Sequence, residues 1–206
     1  MGPVSVSIFG VTVLLALVVG VHQTLARGAA LGLDRERLNL LLNHVLGWGF
    51  VGAHVAAVAS YPASIRHDPW VILRIWDGIA AVGGIGGGAL AGFLLARARG
   101  LERAAVLDAL AFGLAPAWVI ARVGCFLVHD HPGMLTSFPL AVAYPDVPVG
   151  MGRHDLGLYE VSVGIVLTIA MRALARREHR QGTATAVFLA GYAAARLGLD
   201  GLRAVD

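Results

Sequence analysis

Residues 104–133 read AAVLDALAFGLAPAWVIARVGCFLVHDHPG, an apolar run that ends in an arginine, a cysteine, two histidines and an aspartate. The apolar part, 104–128, is close to the ~20 residues that a helix needs to cross a bilayer. Because the hydrocarbon core offers no water to the backbone, a spanning segment of this length should be helical. Further apolar segments of similar length lie at 4–24, 38–60, 78–97, 157–174 and 183–202. The sequence therefore predicts an all-α, polytopic membrane bundle of about six transmembrane helices, in one integral membrane domain over 1–206.

The composition also indicates an integral membrane protein. Hydrophobic residues make up 57% of the chain and charged residues only 14%, whereas about a quarter of the residues in soluble domains are charged. All 16 basic residues are arginines, and no basic stripe is interleaved with aromatic residues, so nucleic acid is not an expected partner. The single cysteine excludes an intramolecular disulfide. The N-terminal segment lacks the basic n-region and the cleavage site of a signal peptide, so we expect it to be a retained first span.

The distribution of arginines predicts the orientation of the spans. With the N-terminus outside, the inner loops hold Arg27, Arg35, Arg37, Arg97, Arg99, Arg103, Arg172, Arg176, Arg177 and Arg180, and the outer side holds Arg66, Arg74, Arg153 and Arg203. The positive-inside rule then places both termini outside. The Pro- and Gly-rich loop 129–156, between the fourth and fifth spans, is extracytoplasmic in this topology. Its length favours a functional role.

Two arginines, Arg122 and Arg196, lie inside apolar segments near their outer ends. A charge in the bilayer core costs at least ~2.5–3.5 kcal/mol on insertion scales and usually faces a cavity with a functional role. Three carboxylates fall on the same side, namely Asp130, Glu160 and Asp200, the last four positions after Arg196. We expect a polar pocket in which the arginine forks suit a lipid phosphate. The alternative is that these arginines only reach the membrane interface.

Five short motifs, in order along the chain, resemble those of one family, the prolipoprotein diacylglyceryl transferases. They are RIWDG (74–78) before a glycine-rich segment, ARVGCFLVHDHPG (121–133), FPLAVAYP (138–145), RHDLGLYE (153–160) and GYAAARLGLDGLR (191–203). The second resembles the family signature of Gly-Arg-hydrophobic-Gly-Asn-Phe, followed by an acid and then a glycine. The fourth resembles the family's His-Pro-x-Gln-Leu-Tyr-Glu. By these motifs the chain is identified as a divergent, C-terminally shortened member.

The resemblance implies a reaction, a location and a set of site residues. The reaction transfers the diacylglyceryl group of phosphatidylglycerol to the lipobox cysteine thiol of a preprolipoprotein, releases glycerol phosphate and uses no cofactor. The location is the bacterial inner membrane, with a multi-pass chain and an active site toward the extracytoplasmic leaflet. The implied catalytic residues are Arg122, Arg196, Asp130, His154 and Asp200. The arginines are also implied to bind the lipid head group, together with Gly133, Tyr159, Glu160, Cys125, His129 and His131.

The chain departs from the family pattern at several positions. Cys125 stands where the signature has asparagine, Phe9 where the first core span has tyrosine, and Gly83 where the third has histidine. His54 stands where the second span has an arginine. These departures leave two alternatives open: a related membrane lipid transferase with a different acceptor, and a phospholipid-binding paralogue without catalysis.

Transfer to a thiol also needs a base, because the thiolate is the nucleophile. His129, His131 and His154 are the candidates on the outer side, although each is alternatively an interfacial side chain. Cys125 is either a nucleophile, three positions after Arg122 on the same helical face, or a small apolar filler. A thiolate with imidazoles is chemically suited to zinc, but no HExxH helix or CxxC pair supports a metal site, and we expect none.

Overall fold

The computed structural model describes residues 7–60, 68–74, 80–145 and 147–204. Each apolar segment contains a helix: α1 (Ile8–Ala30), α2 (Arg35–Ser60), α3 (Ala81–Ala98), α4 (Arg103–Val128), α5 (Leu156–Ala175) and α6 (Thr183–Asp200). A short 3-10 helix, Pro69–Leu73, lies between α2 and α3. Most of the RIWDG motif at 74–78 lies outside the described residues.

Four of the described helices, α1, α2, α4 and α5, are long and apolar enough to cross a membrane. The helix α6 carries Arg196 and Asp200 near its C-terminal end. The expected helical membrane protein is therefore supported by the length and composition of its helices.

The chain forms two compact units, Met1–Arg27 with Leu107–Asp206, and Gly28–Val106. In the first unit, α4, α5 and α6 share a core of buried side chains: Ala111, Ala115, Leu167, Met171, Ala184 and Phe188. Asp108 of α4 is fully buried next to this core. Its carboxylate accepts hydrogen bonds from Gly182 N at 2.8 Å, Thr185 N at 2.9 Å and Thr185 Oγ1 at 2.7 Å. Asp108 thus caps the N-terminus of α6, whose free N–H groups favour a negative charge.

In the second unit, glycines bring α2 and α3 together. The backbones of Gly52 and Gly83 approach so closely that neither residue has room for a Cβ. A side chain at residue 83 would also meet Ala56. The glycine-rich sequence of α3 is therefore explained by helix packing. The position at which the family has a histidine has no space for one between these two helices.

The loop between α4 and α5 contains two short strands, which the all-α expectation did not include. Strands β1 (Pro132–Thr136) and β2 (Gly152–Asp155) pair antiparallel, with Leu135 opposite Arg153 and Thr136 opposite Gly152. Met134 N in β1 also donates to Leu202 O at 2.9 Å, just after the end of α6. The strand pair therefore links the start of α5 to the end of α6.

Candidate active site

A buried glutamate joins the two arginines of the apolar segments. Glu160 lies in the first turns of α5 and is only 1% exposed. Arg196 Nη1 of α6 donates a hydrogen bond to Glu160 Oε1 at 2.7 Å. Arg122 Nε of α4 lies 2.7 Å from Oε2, an ion pair by distance that lacks hydrogen-bond alignment. One carboxylate therefore holds two guanidinium groups from different helices.

Aromatic and acidic side chains surround these arginines. The Arg122 guanidinium lies 4.5 Å from the centre of the Trp118 ring, a cation–π contact. Tyr192 packs edge-on against Trp118, with 5.0 Å between the ring centres. Arg196 Nη2 lies 3.3 Å from Asp200 Oδ1, as the i, i+4 spacing predicts. Because Asp200 is 53% exposed, this pair is weaker than the one with the buried glutamate.

Arg122 also faces a thiol and an imidazole. Its Nη1 lies 3.5 Å from Cys125 Sγ and 3.2 Å from His131 Nε2. His131 Nδ1 lies 2.5 Å from Asp130 Oδ1. Because a carboxylate accepts and a guanidinium donates, we assign His131 the tautomer with its proton on Nδ1. Asp130 therefore pairs with a histidine rather than with an arginine, and Arg122 donates to the Nε2 lone pair.

Among the described residues, the group that could ligate a metal ion consists of Cys125, Asp130 and His131. The donor atoms of Cys125, Asp130 and His131 lie within 4.8 Å of one another. Thiolate, imidazole and carboxylate are all zinc ligands. However, Arg122 Nη1 lies against two of these three donors, and its positive charge opposes a cation at that point. The position of the Arg122 guanidinium therefore disfavours a metal ion at this group.

His129 belongs to a different group, at the start of the loop. It has a φ of 52°, which is uncommon for a residue other than glycine, and its Nδ1 lies 3.5 Å from Asp155 Oδ2. Tyr144 donates its hydroxyl proton to the same oxygen at 2.8 Å. Leu158 N donates to Asp155 Oδ1 at 3.0 Å, so the buried Asp155 also caps α5.

Sequence reasoning missed both Tyr144 and Asp155. An aspartate directly before an apolar helical run is a capping signal, so Asp155 could have been found, whereas nothing in the sequence pointed to Tyr144 as its partner. Burial, and then the hydrogen bond to Asp155, raises the pKa of the Tyr144 phenol above its ordinary value. The phenol therefore stays neutral and remains a donor at neutral pH.

His154 and Gly133 lie on the paired strands. His154 Nδ1 lies 2.7 Å from the Tyr159 hydroxyl oxygen, and its ring centre lies 6.1 Å from that of Phe138. A Cβ on Gly133 would lie 2.6 Å from Leu202 O and 2.8 Å from His154 O. Gly133 is therefore needed for close backbone packing.

The predicted site residues thus fall into three groups. The largest, which we call the arginine network, consists of Arg122, Arg196, Glu160, Asp200, Cys125, His131 and Asp130. His129 lies with Asp155 and Tyr144, and the remaining three, Gly133, His154 and Tyr159, lie on or beside the strand pair.

The structure shows the contacts of two residues that depart from the family pattern, Phe9 and His54. Thr12 leaves no room for a side chain at Gly124, directly before Cys125, whereas the Phe9 ring lies at ordinary contact distance, 3.6 Å, from the position of such a Cβ. In the second unit, His54 is buried, and its Nε2 lies 3.0 Å from Ile72 O.

The arginine network has the parts for chemistry on a phosphate ester. Guanidinium groups bind phosphate oxygens through paired, charge-assisted hydrogen bonds. An imidazole whose Nδ1 proton is held by a carboxylate can accept a proton at Nε2. The network therefore combines two fixed cations with a group that can move a proton to or from a thiol.

Comparison with known proteins agrees with the motifs. Phosphatidylglycerol–prolipoprotein diacylglyceryl transferases of Legionella pneumophila strain Lens and Frankia alni are 35% identical over 143 residues and 30% identical over 213 residues. These matches cover 68% and 98% of this chain but 55% and 56% of the relatives, so the chain spans little more than half of their length. A protein of that name from Chromohalobacter salexigens is 29% identical over 210 residues, covering 100% of this chain and 78% of the relative. A family model described as prolipoprotein diacylglyceryl transferase matches residues 1–206. The chain belongs to the prolipoprotein diacylglyceryl transferase family.

Proposed function

We propose that this chain transfers the diacylglyceryl group of phosphatidylglycerol to the lipobox cysteine thiol of a preprolipoprotein and releases glycerol phosphate. The observation that carries the proposal is the Glu160 carboxylate between Arg122 and Arg196. It brings together, within one unit, the two arginines that the family motifs assign to the lipid head group. The names of the relatives support both substrates.

In this reaction the arginines act on the phosphate. Arg122 and Arg196 bind the phosphodiester and stabilise the charge that develops on its oxygen as the carbon–oxygen bond breaks. Glu160 is a positioning residue, because it fixes both guanidinium groups before the lipid arrives. Fixed donors contribute more to the rate than mobile ones, since they need no reorganisation during the reaction.

His131 is the proposed base for the incoming thiol. Its Nε2 accepts a hydrogen bond from Arg122 Nη1. When Arg122 Nη1 turns to the phosphate, the Nε2 lone pair becomes free to accept the thiol proton. Asp130 holds the Nδ1 proton and stabilises the imidazolium that results. Lipid binding and activation of the base are thereby coupled through one guanidinium group.

The proposal includes the membrane arrangement of residues 1–206, as one multi-pass domain of the bacterial inner membrane. All six helices cross the bilayer, the loop between α4 and α5 is extracytoplasmic, and the arginine network faces the outer leaflet. Four helices with the length and composition of spans support this arrangement. The larger number of arginines on the proposed inner side supports the orientation.

The test uses purified protein in phosphatidylglycerol vesicles, with a synthetic peptide that carries a lipobox cysteine. The readouts are the mass of the peptide and the release of glycerol phosphate. We expect Arg122→Ala and Arg196→Ala each to lower the transfer rate by about 100-fold or more, the usual effect of removing one charge-stabilising donor. Arg180→Ala is the matched control, since Arg180 is exposed and lies outside the arginine network.

Each other outcome contradicts part of the proposal. Full activity in the Arg122 and Arg196 variants would remove the assigned role of the arginine network. Release of glycerol phosphate without peptide modification would indicate another acceptor. Neither signal from the unmodified protein would indicate a phospholipid-binding paralogue without catalysis.

A further inference from the structure

Cys125 places a thiol within the proposed phosphate site, and the reaction with a peptide leaves this thiol without a role. It is the only cysteine of the chain, and it is 6% exposed. Its sulfur lies 3.5 Å from Arg122 Nη1 and within 4.8 Å of donor atoms of His131 and Asp130. An apolar filler would be surrounded by hydrocarbon, whereas this thiol lies beside a guanidinium, an imidazole and a carboxylate.

We propose that Cys125 is itself an acceptor, so that the chain attaches the diacylglyceryl group of a bound phosphatidylglycerol to its own α4. This inference rests on the proposed function, because the same lipid bound at Arg122 is the donor. A phosphate bound at Arg122 Nη1 would share as its partner a nitrogen that already lies 3.5 Å from the Cys125 sulfur. The thiol is therefore adjacent to the phosphate site before any protein substrate binds.

The step balances without a further reactant. The Cys125 sulfur attacks the glyceryl carbon, and a carbon–sulfur bond forms as the carbon–oxygen bond to the phosphate breaks. The electron pair of that bond leaves with the phosphate oxygen, as glycerol phosphate. The thiol proton passes to His131 Nε2, whose Nδ1 proton is held by Asp130. The products are one thioether on the protein and one glycerol phosphate.

The modification is a single event for each chain. A thioether does not release its alkyl group under the conditions of the transfer, because a thiolate would have to leave from an unactivated sulfur. The diacylglyceryl group on Cys125 therefore remains attached to α4. We expect glycerol phosphate release without peptide to stop at about one molecule per chain, by this stoichiometry.

The experiment measures the intact mass of the full-length protein, after isolation and after incubation in phosphatidylglycerol vesicles without peptide. Fragment masses locate the added group, and thiol alkylation after denaturation counts free Cys125. Phosphatidylcholine vesicles test the need for the anionic lipid. The variant Cys125→Ser tests the acceptor, Arg122→Ala tests the phosphate site, and Arg180→Ala is the matched control for the loss of an arginine.

The expected result is the mass of one diacylglyceryl group on the fragment that contains Cys125, in the unmodified protein and in Arg180→Ala. It should be absent from Cys125→Ser, from Arg122→Ala and from protein incubated only with phosphatidylcholine. A Cys125 thiol that stays free and alkylatable after long incubation overturns the inference.

Adding the lipobox peptide separates the inference from the proposed function. Peptide modification with a free Cys125 would reject self-modification and leave the proposed function intact. A modified Cys125 with an unmodified peptide would support self-modification and contradict the proposed peptide acceptor. If neither thiol is modified, both proposals fail.

Discussion

Replacing Glu160 with glutamine tests the central contact of the arginine network. Glutamine keeps the size and shape of the side chain but removes its negative charge. Its carbonyl oxygen can still accept from one arginine, while its amide N–H groups then point toward the other, so that two donors face each other. Arg122 and Arg196 would both lose the carboxylate that neutralises them.

The structure sets the size of the effect. Removing one partner of a buried ion pair costs about 3–5 kcal/mol, because the other charge is left uncompensated. Glu160 is 1% exposed, but Arg122 is 15% and Arg196 31% exposed. Water can therefore solvate part of the charge on the two arginines once the carboxylate is removed, which reduces the cost. We therefore expect the lower end of the range, about 3 kcal/mol, or roughly a 100-fold change in the folded-to-unfolded ratio.

The assay is reversible unfolding in mixed micelles by added sodium dodecyl sulfate, followed by helical circular dichroism. Asp200→Asn is the matched control, since it removes the same charge from a carboxylate 3.3 Å from Arg196 that is 53% exposed. Exposed pairs contribute up to about 1 kcal/mol. Equal and small losses in the two variants would refute the conclusion that Glu160 holds both arginines.

Three further predictions concern packing, capping and pH. Gly83→Ala should destabilise the protein by about 1–3 kcal/mol through overpacking against α2, whereas Gly86→Ala, where a Cβ meets nothing within 4 Å, should be neutral or stabilising; unfolding in mixed micelles compares the two. Asp108→Asn should lower the free energy of unfolding by about 1–3 kcal/mol, because the buried cap of α6 loses its negative charge and one hydrogen-bond acceptor. Limited proteolysis of this variant should then cleave first near the start of α6. The raised pKa of Tyr144 means that its stabilising contribution is complete below its ordinary value of 10.0 and is lost as pH rises above that value. Cleavage of the loop between α4 and α5 by a protease should therefore increase above about pH 10. The variant Tyr144→Phe should remove that increase. It should also make the loop easier to cleave at neutral pH, because Asp155 loses the hydrogen bond from the phenol.

The helices were the part of the fold that the sequence predicted best. The apolar segments and the helices agree to within a few residues at most ends, because burial in a bilayer leaves long helices as the main solution. The helix α1 continues to Ala30, past Arg27, although the predicted apolar segment ended at residue 24. Arginine ends an apolar pattern without ending a helix, since its long side chain can reach the interface.

The strands could not be predicted in the same way. Strand β1 has 5 residues and β2 has 4, which is too few for alternation of apolar and polar residues to stand out. Their pairing depends on contacts that the local sequence does not encode, among them the hydrogen bond from Met134 to Leu202 near the other end of the unit.

The sequence named every residue of the arginine network, but it neither separated them from the other predicted site residues nor indicated how they pair. The sequence grouped two arginines with three carboxylates, and the i, i+4 pair of Arg196 with Asp200 followed from helix geometry. It could not tell that Glu160 would be shared between two arginines, because that contact joins residues 36 positions apart.

Nor could the sequence separate the two histidines of HDHPG, which are neighbours on either side of Asp130. The backbone decides between them. The positive φ at His129 is accompanied by a contact of its ring with Asp155, whereas His131 lies between Asp130 and Arg122. His129 is thus a loop contact and His131 a candidate base, although only Asp130 lies between them in the sequence.

The packing of α2 and α3 shows where the base of the proposed reaction cannot lie. An imidazole at residue 83 would require α2 and α3 to separate, because the glycine there is in contact with the backbone of Gly52. The close packing of these helices and a base at residue 83 are therefore mutually exclusive. His131, the proposed base, pairs with Asp130 and contacts Arg122, and it makes no demand on that packing. A base next to Arg122 is also within reach of any thiol that approaches a phosphate bound there, so we expect loss of the His131 imidazole to lower both the proposed peptide reaction and the proposed modification of Cys125.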